Sequence, residues 1–185
     1  MPTKQEMPEI LEVTKVANTQ LFHIERVTLR FSNGVVRNFE RLTLWEPGVV
    51  MIVAMPNPQT ILLVREYAAG MNAYSLSFPK GRVEKGEDML QAANRELQEE
   101  VGFAANKLTY MRAMTNAPNY SPTQMHLVLA QDLYPSTLPA DEPEPLEIVH
   151  WNINEIEALL SRPDFHEGRS IAALFLIKQH LQHAI

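Results

Sequence analysis

GRVEKGEDMLQAANRELQEEVGF, residues 81–103, brings clustered carboxylates, arginine and spaced glycines into one strand-to-helix unit, and its reading decides both fold and chemistry. From Asp88 onward Leu90, Ala93, Leu97 and Val101 recur at helical spacing, and Gly102 supplies the stop. At roughly 100° of rotation per residue, these apolar side chains share a stripe about 80° wide. Glu96, Glu99 and Glu100 fall in an adjoining arc of about 100°, so carboxylates crowd one face of the predicted helix.

Like charges at this spacing repel by about 0.2–0.5 kcal/mol per pair when exposed, and by more when buried. A cation belongs there. Clustered oxygen donors suit hard divalent ions, and magnesium in particular is held by one or two carboxylates plus substrate phosphates. Glu96 and Glu100 are the first candidates for ligands, with Glu99 as a third ligand or a base within the cluster. Arg95 lies beside the acidic arc, where it can pair with a neighbouring carboxylate and fix its direction. The turn Glu84-Lys85-Gly86-Glu87 brings backbone close to the same place. The plain alternative for such a cluster is a solvated acidic face.

Composition narrows the remaining choices. The chain has 185 residues, 45% of them hydrophobic, enough for one domain with a sizeable core. Its formal net charge is −6, which argues against a general nucleic-acid binder and leaves a phosphate-bearing substrate dependent on metals and individual arginines. Without cysteine it has neither disulfides nor zinc-thiolate sites. The opening MPTKQEMPEI lacks the pattern of a secretory signal and no stretch is apolar enough to span a membrane, so the expected compartment is the cytoplasm.

Taken in order, a loose start gives way to strands over 21–31 and from about residue 35 to Leu44, joined at Asn33-Gly34, a strong hairpin signal. Apolar runs at 49–55 and 60–67 flank a turn at Pro56-Asn57-Pro58-Gln59. A strand over 74–79 leads into the acidic unit, and further strands are expected at 107–114, 126–133 and 147–151. Asn152 or Asn154 would cap a helix to about Ser161. A last helix over about 169–183 would bury Ile171, Leu174, Phe175, Ile177, the Lys178 stem and Leu181. His180 and His183 read as a polar helix end, not a metal pair. The sum is an α/β sandwich: a mixed sheet with helices packed on it, preceded by antiparallel strands at about 10–45, with the catalytic core from 46 to 185 in one domain.

The acidic unit fits G-x5-E-x7-R-E-L-x-E-E-x-G-F at Gly81, Glu87, Arg95, Glu96, Leu97, Glu99, Glu100, Gly102 and Phe103. This resembles the signature of the Nudix hydrolases, which cleave a nucleoside diphosphate linked to another group. Softer likenesses over residues 31–42, 64–70, 92–97, 130–135, 141–146 and 170–176 are similar to the ADP-ribose pyrophosphatase branch. The resemblance implies a Nudix fold, an α/β/α sandwich, and magnesium-dependent hydrolysis of small ADP-linked molecules such as ADP-ribose, NADH and diadenosine di- or triphosphates, with AMP as product. Manganese in place of magnesium stays open. It also implies a homodimer built through the N-terminal strands, a metal contact from the Lys80 carbonyl, and a base from the DEPEP loop. Glu144 is preferred for that base, and Glu142 is the alternative. Many enzymes of the branch carry a glutamate where Ser77 stands here, which leaves the metal count open.

For substrate contacts, Arg65 and Arg41 offer forked donors for phosphate, with a structural ion pair as the even alternative at each. Tyr67, Phe39 and Tyr120 are candidates for stacking on adenine, against the commoner core role of strand aromatics. Two rivals remain: a Nudix module that senses a dinucleotide without cleaving it, which would be expected to lack signature carboxylates, and a nucleoside triphosphate or coenzyme A diphosphatase.

Overall fold

The computed structural model describes residues 6–43, 48–140 and 142–183, so the expected strand end at Leu44 and the first residue of the DEPEP loop, Asp141, lie outside the described residues. The chain divides into two compact units, the described part of 1–46 with Thr115–Thr123, and the remainder.

The first unit is a three-stranded antiparallel sheet of β1 (Glu9–Asn18), β2 (His23–Arg30) and β3 (Val36–Leu42), with β2 in the middle. Its β2–β3 turn follows the Asn33-Gly34 signal. Gly34 has φ +80°, a left-handed conformation that costs glycine little, and the Asn33 side chain accepts from the Val35 amide at 3.1 Å.

In the second unit β4 (Val49–Asn57) is the axis. It pairs antiparallel with β5 (Thr60–Ala68) and with β7 (Lys80–Arg82), and parallel with β9 (Gln124–Pro135). The main order is β10-β5-β4-β9-β8, with β8 at Phe103–Thr115, β10 at Glu147–Asn152, and β6 (Ala73–Ser77) added on β5. The sheet is therefore mixed, as the pattern of long apolar runs suggested.

Alternation along β4 and β5 feeds two cores. Val50, Ile52, Ala54, Leu62 and Val64 meet Ala92, Ala93 and Leu97 from helix α1 (Met89–Glu100) and Val101 at its C-cap. Met51, Val53, Met55, Ile61 and Leu63 face the other way, toward Leu159 of α2 (Ile156–Leu160) and Ala173, Leu174 and Ile177 of α3 (Gly168–His183). Each fully buried valine, leucine, isoleucine or methionine here contributes about 1.5–3 kcal/mol, which explains why the buried stretches at 50–55 and 61–64 show no polar face.

Three expectations need correction. Neither Asn152 nor Asn154 caps α2; Glu155 stands at the cap without a side-chain bond, and the Asn152 side chain instead accepts from the Asn154 amide at 3.0 Å in a local turn. Phe175 is 51% exposed and Lys178 is exposed too, because the buried stripe of α3 runs through Ser170, Ala173, Leu174 and Ile177. Residues 80–82 form a short strand where the sequence suggested only a lead-in to the helix.

Ser170 is fully buried at the start of α3. Its hydroxyl donates to Glu167 at 2.6 Å and accepts from the Phe78 amide at 3.2 Å. Ser170→Ala should leave that amide without its partner and lower unfolding free energy by about 1–3 kcal/mol, read from urea denaturation at unchanged m-value.

Candidate active site

The acidic helix starts where local chemistry says it should. Asp88 accepts from the amides of Leu90 at 2.8 Å and Gln91 at 2.9 Å, and Gln91 returns a bond to the Asp88 amide at 3.1 Å, a reciprocal cap that contributes about 1 kcal/mol. Gly102, at φ +75°, follows the last turn in the left-handed region.

Between β6 and α1 the chain is pinned under the helix. The Pro79 carbonyl accepts from the Ile52 amide at 2.8 Å, and Lys80 pairs with Met51. Gly81 then passes so close to α1 that a Cβ there would lie 1.9 Å from Glu96 Cδ. Glycine is required by contact, since any side chain would displace the Glu96 carboxylate.

Arg95 organises the cluster. Its guanidinium donates to Glu96 and Glu99 at 2.8 Å each, to both Glu87 oxygens at 3.1 Å, and to the Arg82 carbonyl at 2.7 Å. These bonds, led by those to Glu87, raise its pKa further above the ordinary arginine value. Glu87 responds in the opposite sense: burial pushes its pKa up, but the Arg95 and Glu84-amide bonds outweigh burial and hold it below the usual carboxylate range.

Glu100 has weaker compensation. At 9% exposure, beside Glu96 at 8%, it accepts from the Lys80 amide at 3.2 Å, and burial pushes its pKa up to about 8, helped by the charges of Glu96 and Glu66. A buried carboxyl with this little countercharge, one helical turn from a second, suits a hard divalent cation. Among the described residues no three His, Cys, Asp or Glu groups make a complete cage. That donor set fits an ion that completes its shell with phosphate and water.

Glu96, Glu99, Glu100, Arg95 and Lys80 are thus brought together. Arg65 is not. Strand alternation turns it with Ile61 and Leu63 to the face away from α1, where it donates to Glu147 at 2.8 Å and to Asp164. Arg162 also grips Asp164, at 2.8 and 2.9 Å, and these pairings hold the Asp164 carboxyl well below its usual range. Such contacts support the structural alternative for Arg65. Arg41 lies in the first unit, bonded to Glu25 at 2.6 Å.

In the DEPEP loop Glu144 accepts from the Tyr74 hydroxyl at 2.6 Å, and Glu142 is partly buried. Tyr67 is half exposed, edge-on to Tyr74 at 5.6 Å, with its hydroxyl on Asn72 at 2.5 Å. Phe39 packs against Phe31 at 6.2 Å, and Tyr120 is exposed.

Two participants escaped the sequence reading. Glu66 shares the α1-side parity of Leu62 and Val64 and receives the Lys80 ammonium at 2.6 Å; that ammonium also donates to Ser77 at 3.2 Å. The period-two alternation of 61–66 was the available signal. Tyr74, the partner of Glu144, had none, because the contact joins residues distant in sequence.

A NUDIX domain model matches residues 45–175 and a NudE-type Nudix hydrolase N-terminal domain matches residues 8–41, so the chain belongs to the Nudix hydrolase family. Within that family it is 46% identical to the ADP compounds hydrolase NudE of Escherichia coli (strain K12), over 98% of this chain and 97% of that enzyme. A crystal structure of an ADP compounds hydrolase superposes with TM-score 0.94 at 46% identity, covering 98% of each chain. An ADP-ribose pyrophosphatase of Bacillus subtilis (strain 168) is 26% identical over 93% of this chain and 94% of its own length.

The raised pKa of Glu100 yields a signed expectation for the cation-free protein. A carboxyl whose folded pKa exceeds its unfolded value costs stability as pH rises between the two, and the full cost is present above about 8. Glu100→Gln should therefore raise the melting temperature in chelator at pH 9 and leave it nearly unchanged at pH 4, measured by scanning calorimetry.

Proposed function

We propose that this enzyme hydrolyses the diphosphate bond of ADP-linked compounds such as ADP-ribose, NADH and diadenosine di- or triphosphates, releasing AMP. The carrying observation is the nearly buried Glu96–Glu100 pair beneath Gly81, in a chain 46% identical to an ADP compounds hydrolase over 98% of its length.

Glu96 and Glu100 hold the catalytic cation, with Glu99 as further ligand or base and the Lys80 carbonyl as backbone ligand. When bound, magnesium, or manganese in its place, neutralises phosphate charge and lowers the pKa of bound water. Arg95 keeps Glu96 and Glu99 aimed through its fixed fork of donors. Glu144, steadied by the Tyr74 hydroxyl, takes the proton from the attacking water, with Glu142 as the alternative in the same loop. Water adds to one phosphorus as the bridging P–O bond breaks, and ADP-ribose yields AMP and ribose 5-phosphate. Tyr67 is kept as a contact for adenine; Arg65 is not retained as a phosphate clamp.

We assign the activity to the cytoplasm, in keeping with a chain free of cysteine. Among the described residues no helix is long and apolar enough to cross a membrane. The working unit is a homodimer joined through β1–β3 within a single Nudix enzyme, a reading supported by the exposed Ile10, Val13, Val16 and Phe39 on that sheet. Val13→Glu with Val16→Glu should convert a dimer to a monomer in light-scattering chromatography; an unchanged mass would overturn the assignment.

The test of function is a substrate panel in magnesium with product identification. AMP and ribose 5-phosphate from ADP-ribose are expected, whereas turnover confined to nucleoside triphosphates or coenzyme A would refute the assignment. Glu96→Gln should lower the rate by about 10²–10³ while the protein stays folded by circular dichroism.

A further inference from the structure

The end of α1 is completed by residues that follow β9. The last carbonyls of a helix lack partners within it. Here the Gln98 carbonyl accepts from the Leu138 amide at 3.3 Å, and the Gly102 carbonyl, just past the helix, accepts from the Ser136 amide at 3.1 Å. Side chains repeat the connection. The Ser136 hydroxyl donates to Gln98 Oε1 at 2.8 Å, while Gln98 Nε2 donates back to the Asn94 carbonyl at 2.8 Å. Asn94, one turn earlier on the same side of the helix, accepts the Ala105 amide of β8 at 2.9 Å. Both ends of the Gln98 amide are therefore used, one within α1 and one across to Ser136.

Residues 136–138 lead toward the glutamates of the acidic loop, and the six steps from Leu138 to Glu144 reach at most about 20 Å. At the far end the Tyr74 hydroxyl holds Glu144 at 2.6 Å, and β10 then begins at Glu147 against β5. Gln98 lies roughly 160° around the helix from Glu96 and Glu100. One helix thus carries the carboxylates of the ion site on one side and the start of the acidic loop on the other. Neither the signature nor helix formation asks for glutamine at this position: residue 98 is unspecified in G-x5-E-x7-R-E-L-x-E-E-x-G-F, and alanine is the better helix former. What glutamine adds is an acceptor aimed at Ser136. Proton removal from the attacking water needs the loop carboxylate at a fixed distance from the helix, and a displacement of about 1 Å can cost about 10²-fold in rate.

We propose that Gln98 is a positioning residue for the reaction, setting the distance between the glutamates of α1 and those of the acidic loop through its bond with Ser136. This inference rests on the reading above that a loop glutamate takes the proton, and it deepens that reading. Gln98 touches neither substrate nor ion; it acts through the segment that Ser136 opens.

The test separates positioning from general damage to α1. Gln98→Ala and Ser136→Ala should each lower kcat for ADP-ribose about tenfold with KM within about twofold, and the double variant should lose no more than either single one, because both remove the same bond. Ser136→Thr, which keeps the hydroxyl, should stay within about twofold of the wild type. Manganese affinity, read by electron paramagnetic resonance without turnover, should be unchanged in all of them. A wild-type kcat in Gln98→Ala, additive losses in the double variant, or a fall in manganese affinity that matches the fall in kcat would overturn the proposal. Glu142→Gln and Glu144→Gln distinguish the two levels of the argument. If neither slows the enzyme, the loop base itself is refuted and this role for Gln98 goes with it; if either does while Gln98→Ala keeps the wild-type rate, the loop base stands and the coupling alone is lost.

Discussion

Arg95 is the contact on which the acidic centre depends. Glu87, Glu96 and Glu99 converge on one guanidinium, which also reaches back to the Arg82 carbonyl and so ties the helix to the strand beneath it. Without that fork the carboxylates would repel one another and swing outward, and α1 would lose one of its ties to residues 80–82, the other being the Lys80 amide on Glu100. Lysine, a point charge with rotatable donors, could not serve four acceptors in fixed directions. Glu100, just beyond the reach of this arrangement, keeps the raised pKa of an undercompensated buried acid.

Much of this was readable from spacing. The i, i+3, i+7, i+11 series in 90–101 specifies which side of α1 is apolar, and thereby that Glu96, Glu99 and Glu100 lie beside the buried stripe. What spacing left open was depth. That Glu96 is nearly buried follows from Gly81 passing against its carboxylate, a contact made by pairing β7 with β4, and a three-residue strand held by tertiary partners leaves no periodic trace.

The same limit explains Arg65 and Phe175. A run that is apolar at every position, as in 61–64, does not show which of its two faces α1 covers, so Arg65 was read as a phosphate contact and Glu66 was passed over until the sheet separated them. In α3 the stretch Ala172 to Ile177 is apolar all round, and small buried residues, Ser170 and Ala173, marked the packed side instead of the large Phe175. Close packing against Phe78 favours a small side chain at that helix surface, a preference that hydrophobicity alone does not encode.

The parallel pairing of β4 with β9 has a consequence for how the molecule comes into being. Val49 aligns with Met125, so the central joint must wait until the intervening hairpins and α1 have been made, at a considerable loop-closure cost. The contact of Gly81 with Glu96 needs only the pairing of β7 with β4, whose residues all precede β9, so the late joint completes the far side of the sheet and not the cover over the acidic helix.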